Sequence, residues 1–450
     1  MRHSRLGVGL VLMGALAAVG CNNERPGHKP RACCAPNGGG PSREPNGDTP
    51  ADAPAVRFRL AVEGLPTSGR WKCDPKLVDI NGDGKTDLLA HPRKGRGPLV
   101  WFGDGAGRWR LAPQQPKFDG LSCGGNLHVV DVNDDGQLDL VVADHCRGLY
   151  VYLGNGRGEF RAVTMALNAG NADAASATDD EQTSLGFEDV GVGDVNGDGH
   201  VDLVAGSSDP DGGFTVLLGD GSGAHWTPRR TSLPSHGWVN RIRLVDVNGD
   251  GHLDVVASWH EGPRVWHGTG AGDFQDASQG LPRPTSTLGL FHGLDLADFN
   301  QDGLLDLAVM NWINGIEVYL QQPDGSWRAT PDPFVELTGG GSGLAVGDLN
   351  GDGRADIVAC GRLKPTVGYI YGVFALLGDG RGGFRYVAGS GLPETGLAFN
   401  FGVTIGDVNG DGLGDVVVGS GGEVATVGEG PAAPVLPALL LGWLTDRGER

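Results

Sequence analysis

Asp79-Ile80-Asn81-Gly82-Asp83-Gly84-Lys85-Thr86-Asp87 is one of seven copies of a nine-residue loop; the others begin at Asp131, Asp194, Asp246, Asp298, Asp348 and Asp407. The starts lie 52, 63, 52, 52, 50 and 59 residues apart, a spacing that marks a repeat architecture. Position 1 is always Asp (Asp79, Asp131, Asp194, Asp246, Asp298, Asp348, Asp407) and position 3 always Asn (Asn81, Asn133, Asn196, Asn248, Asn300, Asn350, Asn409). Position 5 is Asp83, Asp135, Asp198, Asp250, Asp302, Asp352 or Asp411, and position 9 is Asp87, Asp139, Asp202, Asp254, Asp306, Asp356 or Asp415. Side-chain oxygens at alternate positions converge when the backbone curls, and the Gly at position 6 permits the sharp turn. Such a cage suits a hard cation, with Ca2+ preferred because it accepts many oxygens in flexible geometry. Position 7 varies from Lys85 to His200 to Leu413, as expected of a ligand that is a main-chain carbonyl. Position 9 is expected to close the shell with both oxygens, so the chain is predicted to hold up to seven Ca2+. An EF-hand would need Glu at position 12 and a helix on each side, but position 12 is Ala90, Val142, Ala205, Ala257, Val309, Ala359 or Val418. Solvated turns without metal are the bland alternative, weakened because three carboxylates crowded into nine residues repel one another.

Outward from the loop, each copy continues as a short apolar run such as Leu140-Val141-Val142-Ala143 or Val416-Val417-Val418, which fits a strand buried on both faces. Another short strand precedes the loop, for example Leu127 to Val130 or Ile242 to Val245. Further on comes a second signature, Val100-Trp101-Phe102-Gly103-Asp104-Gly105 followed by Trp109, whose Asp-Gly marks a hairpin. Each unit is therefore four strands, and residues 55–450 allot about 57 residues to each of seven units, which suits propeller blades. The last unit reaches Leu439-Leu440-Leu441-Gly442-Trp443 without a fourth strand. The first segment, Val56 to Val62, runs into Gly64-Leu65-Pro66, an ending that recurs at Gly280-Leu281-Pro282 and Gly391-Leu392-Pro393. It is predicted to supply the missing strand. The fold expected is all-β: a seven-bladed β-propeller of four-stranded blades, calcium loops between strands 1 and 2, closed by terminal strands sharing the last blade.

Composition agrees. With 80 Gly in 450 residues and 20% charged side chains, the chain is unlike a helix-rich enzyme. A net charge of −20 argues against a nucleic-acid partner, since phosphate contacts need a basic face. Arg2 and Arg5 precede an apolar run, Leu6 to Val19, that ends at Gly20-Cys21. Residues 1–20 resemble a bacterial lipoprotein signal peptide, with Cys21 as the lipidated residue. Plain secretion is the alternative. Residues 21–54, rich in Pro, Gly and Asn, read as a disordered tether. The expected location is the cell envelope, periplasmic or cell-surface, with the membrane reached only through the lipid, and the expected state is a monomer.

The seven loops, with Phe401-Gly402 before the last, resemble the FG-GAP/VCBS repeat family of calcium-binding β-propellers, related in architecture to the integrin α-chain head. The resemblance runs from about residue 55 to 450; no copy has a following Gly-Ala-Pro, so the bacterial VCBS branch is the nearer. It implies calcium ligands at positions 1, 3, 5 and 9. It does not imply one activity, because members include lectin-like binders, adhesion proteins and accessory domains of polysaccharide enzymes.

Cys123 precedes the second loop by eight residues and Cys146 follows Asp139 by seven, so antiparallel strands would set them opposite each other and a disulfide is expected. No pairing is assigned to Cys73 or Cys360, and Cys33 and Cys34 have no evident role. The loops join first to second strands and so share one face. On the other face fall Arg93, His145, Ser208, His260, Trp312, Arg362 and Gly421, six residues past position 9. Cys73, Gly125, Glu188, Asn240, His292, Ser342 and Phe401 join them, six residues before position 1. These differ from copy to copy, as a functional rim on a repeated scaffold should. Blades four and five are richest, and Trp238, Asn240, Trp259, His260, His292, Asn311 and Trp312 are the candidate ligand-binding residues. Aromatic faces beside Asn and His suit sugar rings; the alternative is that Trp259 and Trp312 pack between blades. The reading is an exported calcium-binding propeller that presents a site for carbohydrate or protein. A polysaccharide lyase or hydrolase using His145, His260, His292, Arg93 and Glu188, or a docking scaffold, are the alternatives. The insert Ala169 to Ser184 reads as an acidic surface loop and Gly421 to Pro437 as a link.

Overall fold

In a computed structural model of the chain, the residues described are 56–446 apart from 67–68, 94, 96, 119–121, 165–185, 284–290, 332, 335, 339–341, 365–370, 398–399 and 421–439. The expected signal peptide and tether, residues 1–54 with Cys21, Cys33 and Cys34, lie outside them, as do the 169–184 and 421–437 segments. Among the described residues there is no helix; every regular element is a strand, and the strands form seven antiparallel sheets.

Blade 4 serves as the pattern: Val239–Val245, Asp254–Trp259, Gly262–Gly268 and Phe274–Asp276 pair in sequence order. The loop's Asp254 faces Val245, and Val255 faces Trp266. Second strands are buried along their whole length in blades 1, 2, 3, 4, 5 and 7, which is why their sequences are continuous apolar runs rather than alternating ones. In blade 6 the second strand Asp356–Leu363 pairs with two pieces, Leu344–Gly347 at one end and Leu337–Thr338 at the other. Blade 7 is Asn400–Gly406, Asp415–Ser420 and Leu440–Asp446, completed by Arg57–Leu60, which runs antiparallel to the last with Arg57 opposite Asp446 and Leu60 opposite Trp443. The ring is thus closed by both ends of the domain, as read from the missing strand.

The core is seven apolar clusters, one at each blade-to-blade contact. The cluster of Trp71, Leu88 and Trp101 from blade 1 with Val408, Val417 and Leu444 from blade 7 closes the circle. Position 2 of every loop contributes to it or its equivalents: Ile80, Val132, Val195, Val247, Phe299, Leu349 and Val408 are all buried. Each loop therefore plugs the joint beside it.

The Gly-Leu-Pro endings do more than end strands. The residue before each Gly offers its carbonyl to the outer strand of the next blade: Glu63 O accepts from Trp109 N at 2.9 Å, Gln279 O from Trp327 N at 2.8 Å and Ser390 O from Phe58 N at 2.7 Å. The following Leu65, Leu281 and Leu392 are buried. These are clasps between blades 7 and 1, 4 and 5, and 6 and 7.

Candidate functional site

At one end of the ring lie the seven loops. In the first, Asp79 Oδ1 accepts from the Gly82 and Asp83 amides at 2.8 and 3.1 Å, Oδ2 from Gly84 N at 2.7 Å, and Asp83 Oδ1 from Lys85 N at 3.0 Å. Asn81 Oδ1 likewise accepts from Asp83 N at 2.9 Å, so the oxygens of positions 1, 3 and 5 face the loop's own amides. Position 9 sits beneath them, fully buried in all seven copies. Its two oxygens are both engaged: Asp87 Oδ2 accepts from Ile80 N at 3.1 Å and Oδ1 from Gly103 N, at the end of the third strand, at 2.9 Å. The same two bonds recur elsewhere, as in Asp306 with Phe299 N and Gln321 N at 2.9 and 2.8 Å. A carboxylate has about four lone-pair positions, so acceptor capacity for a cation remains on each oxygen. Burial pushes Asp306 and Asp356 up to about 7 and Asp87, Asp139 and Asp415 to about 6 against the pull of the amides, and the carboxylates at positions 5 and 1 add to the rise. Three carboxylates and an amide oxygen per loop are the donor chemistry of a hard divalent cation, although among the described residues the three carboxylates of one loop do not all lie within 4.8 Å of one another.

The opposite end is where the blades differ. In blades 3, 4, 5 and 7 the inner strand slips register: between Phe187 and Asp189, Val239 and Arg241, Phe291 and Leu294, and Asn400 and Gly402. The residues in the bulges are Glu188, Asn240, His292 with Gly293, and Phe401. A bulge adds a residue and re-aims its side chain, so Glu188, Asn240 and His292 escape the strict in-and-out alternation of the strand. Glu188 Oε1 receives Lys72 Nζ of blade 1 at 2.7 Å and also bonds His145 Nδ1 of blade 2. Lys72 Nζ lies 2.9 Å from the same Nδ1, so this one ring nitrogen meets both a carboxylate acceptor and an ammonium donor. Burial works to raise the Glu188 carboxyl, but Lys72 and His145 outweigh it and hold the group well below the usual carboxylate range. His292 lies with Nδ1 3.2 Å from Ser342 Oγ and its ring edge-on to Trp312, centroids 5.0 Å apart. Its Nε2 is buried without a hydrogen-bond partner. Burial, with Arg241 adding, pulls the ring down to about 4, so it is neutral at pH 7.

Below this mouth the channel is plugged by charge. Arg241 of blade 4 reaches across the ring to Asp74 of blade 1, Nε and Nη2 lying 2.9 and 3.1 Å from its two oxygens. Arg243 lies 3.4 Å from Asp295 and 3.8 Å from Asp189, and Asp189 also bonds His128 at 3.1 Å. Asp74, Asp189 and Arg241 are buried.

Two of the candidate ligand-binding pairs are in ring contact, Trp259 with His260 at a centroid distance of 4.8 Å and His292 with Trp312 at 5.0 Å. Trp238 is 39% exposed, His260 is exposed, and Asn240 Nδ2 donates to Phe291 O at 2.8 Å. Trp259 is 5% exposed, packs with Phe214 and Trp266 in the joint between blades 3 and 4, and donates Nε1 to His236 O at 2.9 Å; this is the blade-packing arrangement. Asn311 is buried, its amide donating to Glu317 at 2.9 Å. Lys72, Asp74, Asp189, Arg241 and Arg243 were not singled out from sequence; the available signal was charge inside short apolar strands. Cys123 and Cys146 are joined by a disulfide, and Cys73 and Cys360 are buried. Ser122, His91 and Asp144 lie together, but hydroxyl and carboxylate both meet the same His91 Nε2, at 2.9 and 3.2 Å, and all three are buried. That is a structural knot, with no nitrogen placed to relay a proton from the serine.

FG-GAP-like repeats match residues 79–142, 131–180, 194–257 and 298–359, half of the chain. Over 212 residues, 41% of this chain, the sequence is 26% identical to integrin alpha pat-2 of Caenorhabditis briggsae, and the match spans 17% of that integrin's length. BBS1N, solved in complex with ARL6DN, aligns over 88% of this chain and 99% of its own at 14% identity with a TM-score of 0.51, a likeness of fold. An Agrocybe aegerita lectin that recognises non-reducing terminal N-acetylglucosamine aligns over 74% of this chain and 84% of its own at 20% identity, with a TM-score of 0.44. Among the described residues no helix is long and apolar enough to cross a membrane.

Proposed function

The chain belongs to the FG-GAP-like repeat family, and on that footing we propose that it is an exported calcium-binding propeller that binds carbohydrate at the channel mouth opposite its loops. The observation that carries this is the set of bulges at the end opposite the loops: they fall at Glu188 in blade 3, Asn240 in blade 4 and His292 in blade 5, the last two in the blades of Trp238 and Trp312, while the loop end repeats one pattern seven times. Polar groups that reach hydroxyls beside indoles that stack on C–H faces are the chemistry sugars require. The lipid on Cys21 would hold the protein to the cell envelope as a monomer; labelling with tritiated palmitate, lost in Cys21→Ser, tests the anchor.

Full-length protein on a glycan panel, with calcium and with chelator, tests the main reading. Specific binding should weaken at least about tenfold in His292→Ala and Trp238→Ala with the melt unchanged, the loss of one or two good contacts. Retained binding in both would remove the mouth from consideration, and a blank panel would favour a protein ligand. Chelation should lower the melting temperature steeply, since each site at a hundredfold excess of calcium over Kd adds about 2.7 kcal/mol. A melt indifferent to chelator would refute the metal assignment. One observation favours a second reading: His145, half-buried at the rim with Nδ1 against the Glu188 carboxylate, is held as a general base would be. Cleavage products from any bound polysaccharide, abolished in His145→Ala, would mark a lyase or hydrolase.

A further inference from the structure

His145 reaches the mouth on the turn between the second strand of blade 2, Asp139–Asp144, and its third, Gly148–Gly154. The inner strand, Leu127–Val130, pairs with the second only as far as Leu127 opposite Val142. Beyond that, the two segments are joined by Ala143 N to Asn126 O at 2.8 Å, His145 N to Gly124 O at 2.7 Å, bonds from Ser122 and Cys123 to Asp144, and the Cys123–Cys146 disulfide. The cross-link ends on the residue next to His145. Between them Asp144 acts as a buried hub: Oδ1 accepts from Cys146 N at 3.0 Å, and Oδ2 from Cys123 N and Ser122 Oγ, each at 3.0 Å. The His145 carbonyl accepts from Ser208 Oγ of blade 3 at 2.7 Å.

We infer that the Cys123–Cys146 disulfide is a positioning device for His145, so that the His145–Glu188–Lys72 cluster is assembled only in the oxidised protein. Residues 123 and 146 lie outside the strand ladder of blade 2, and the joints on either side of that blade are apolar clusters that do not include them. The bond therefore restrains the mouth rather than the blade. Both sulfurs belong to half-buried residues at the rim, within reach of a small dithiol. Such a reductant transfers two electrons and two protons; the S–S bond breaks, two thiols form, and the dithiol closes to its own disulfide. With the cross-link open, the turn gains freedom and the ring no longer stays on the Glu188 carboxylate. The inference rests on the mouth being the ligand site only for its biological meaning; the geometry it predicts can be read without a ligand.

The experiment is carbethoxylation of the full chain by diethyl pyrocarbonate, with each histidine followed by mass spectrometry before and after dithiothreitol. His145 should react about tenfold faster after reduction, because the nitrogen no longer held between Glu188 and Lys72 is open to the reagent, the size expected for losing one charge-assisted hydrogen bond, while His260 and His292 keep their rates. Cys123→Ala/Cys146→Ala should match the reduced protein, and Glu188→Gln should speed His145 with the disulfide intact. An unchanged His145 rate, in protein whose two thiols titrate as reduced, overturns the inference. So does acceleration at all three histidines, which would make the bond a staple of the fold; the reduction arm gives this answer even if the double variant fails to fold. A blank glycan panel with a responsive His145 would count against the carbohydrate reading and leave the positioning role standing.

Discussion

Position 4 of the loop is left-handed in every copy: φ is 75° at Gly82, 78° at Gly197 and 74° at Gly249, but the same region holds Asp134 at 57° and Gln301 at 60°. A side chain there costs about 1–2 kcal/mol, and glycine's greater freedom in the unfolded chain returns part of it. Gln301→Gly should therefore stabilise the protein by about 0.5–1 kcal/mol in urea unfolding at fixed calcium. Asp134→Gly should gain less, because a short polar side chain tolerates this conformation. The opposite order would show that the loops are not strained in this way. Position 6 was legible because all seven copies keep Gly; position 4 was not, because two copies break the pattern. The double anchoring of position 9 was hidden for another reason: one of its two donors, such as Gly103 for Asp87, belongs to a strand that only the folded hairpin brings near.

Among elements, the Gly-Leu-Pro clasp makes the sharpest demand. A Cβ on Gly280 would lie 2.0 Å from Trp327 O, at a φ of +96°. Gly280→Ala must both strain the backbone and push away the outer strand of blade 5, at a cost of about 3 kcal/mol. Gly389→Ala shares a positive φ of +65° but has nothing within 4 Å, so it should cost only about 1 kcal/mol. Equal costs in thermal or urea unfolding would mean that the clasp contributes nothing. The sequence showed that these tripeptides end outer strands. That they grip the next blade could not be read, because the partner, such as Trp327 for Gln279, lies far along the chain in an element whose place depends on the ring. The bulges at Glu188, Asn240 and His292 were half legible: counting back from position 1 found the residues, but the register slip has no mark the three share, since only the blade-5 bulge carries a glycine, Gly293.

At the scale of the molecule, the channel plug ties blades that are distant in the ring. Arg241 and Asp74 are both buried, and such a pair costs about 3–5 kcal/mol when one partner is removed, because the other is stranded. Asp74→Asn should lower stability by about 3 kcal/mol, and Asp74→Leu with Arg241→Met should recover part of it. A double variant as unstable as the sum of its single changes would show that the two do not act as a pair. The measurement is urea unfolding with calcium held constant.

Repetition made the architecture readable: seven loops with the same carboxylates, the apolar runs after them and an absent last strand determine blade number, strand order and closure through local chemistry alone. What the blades do not share was decided by the tertiary structure. Trp259 became core rather than ligand surface, Asn311 was committed to Glu317, and Lys72, His145 and Glu188, from three blades, were brought into contact. Periodicity reports which side of a strand is buried; only closing the ring sets which side chains of separate blades meet across it.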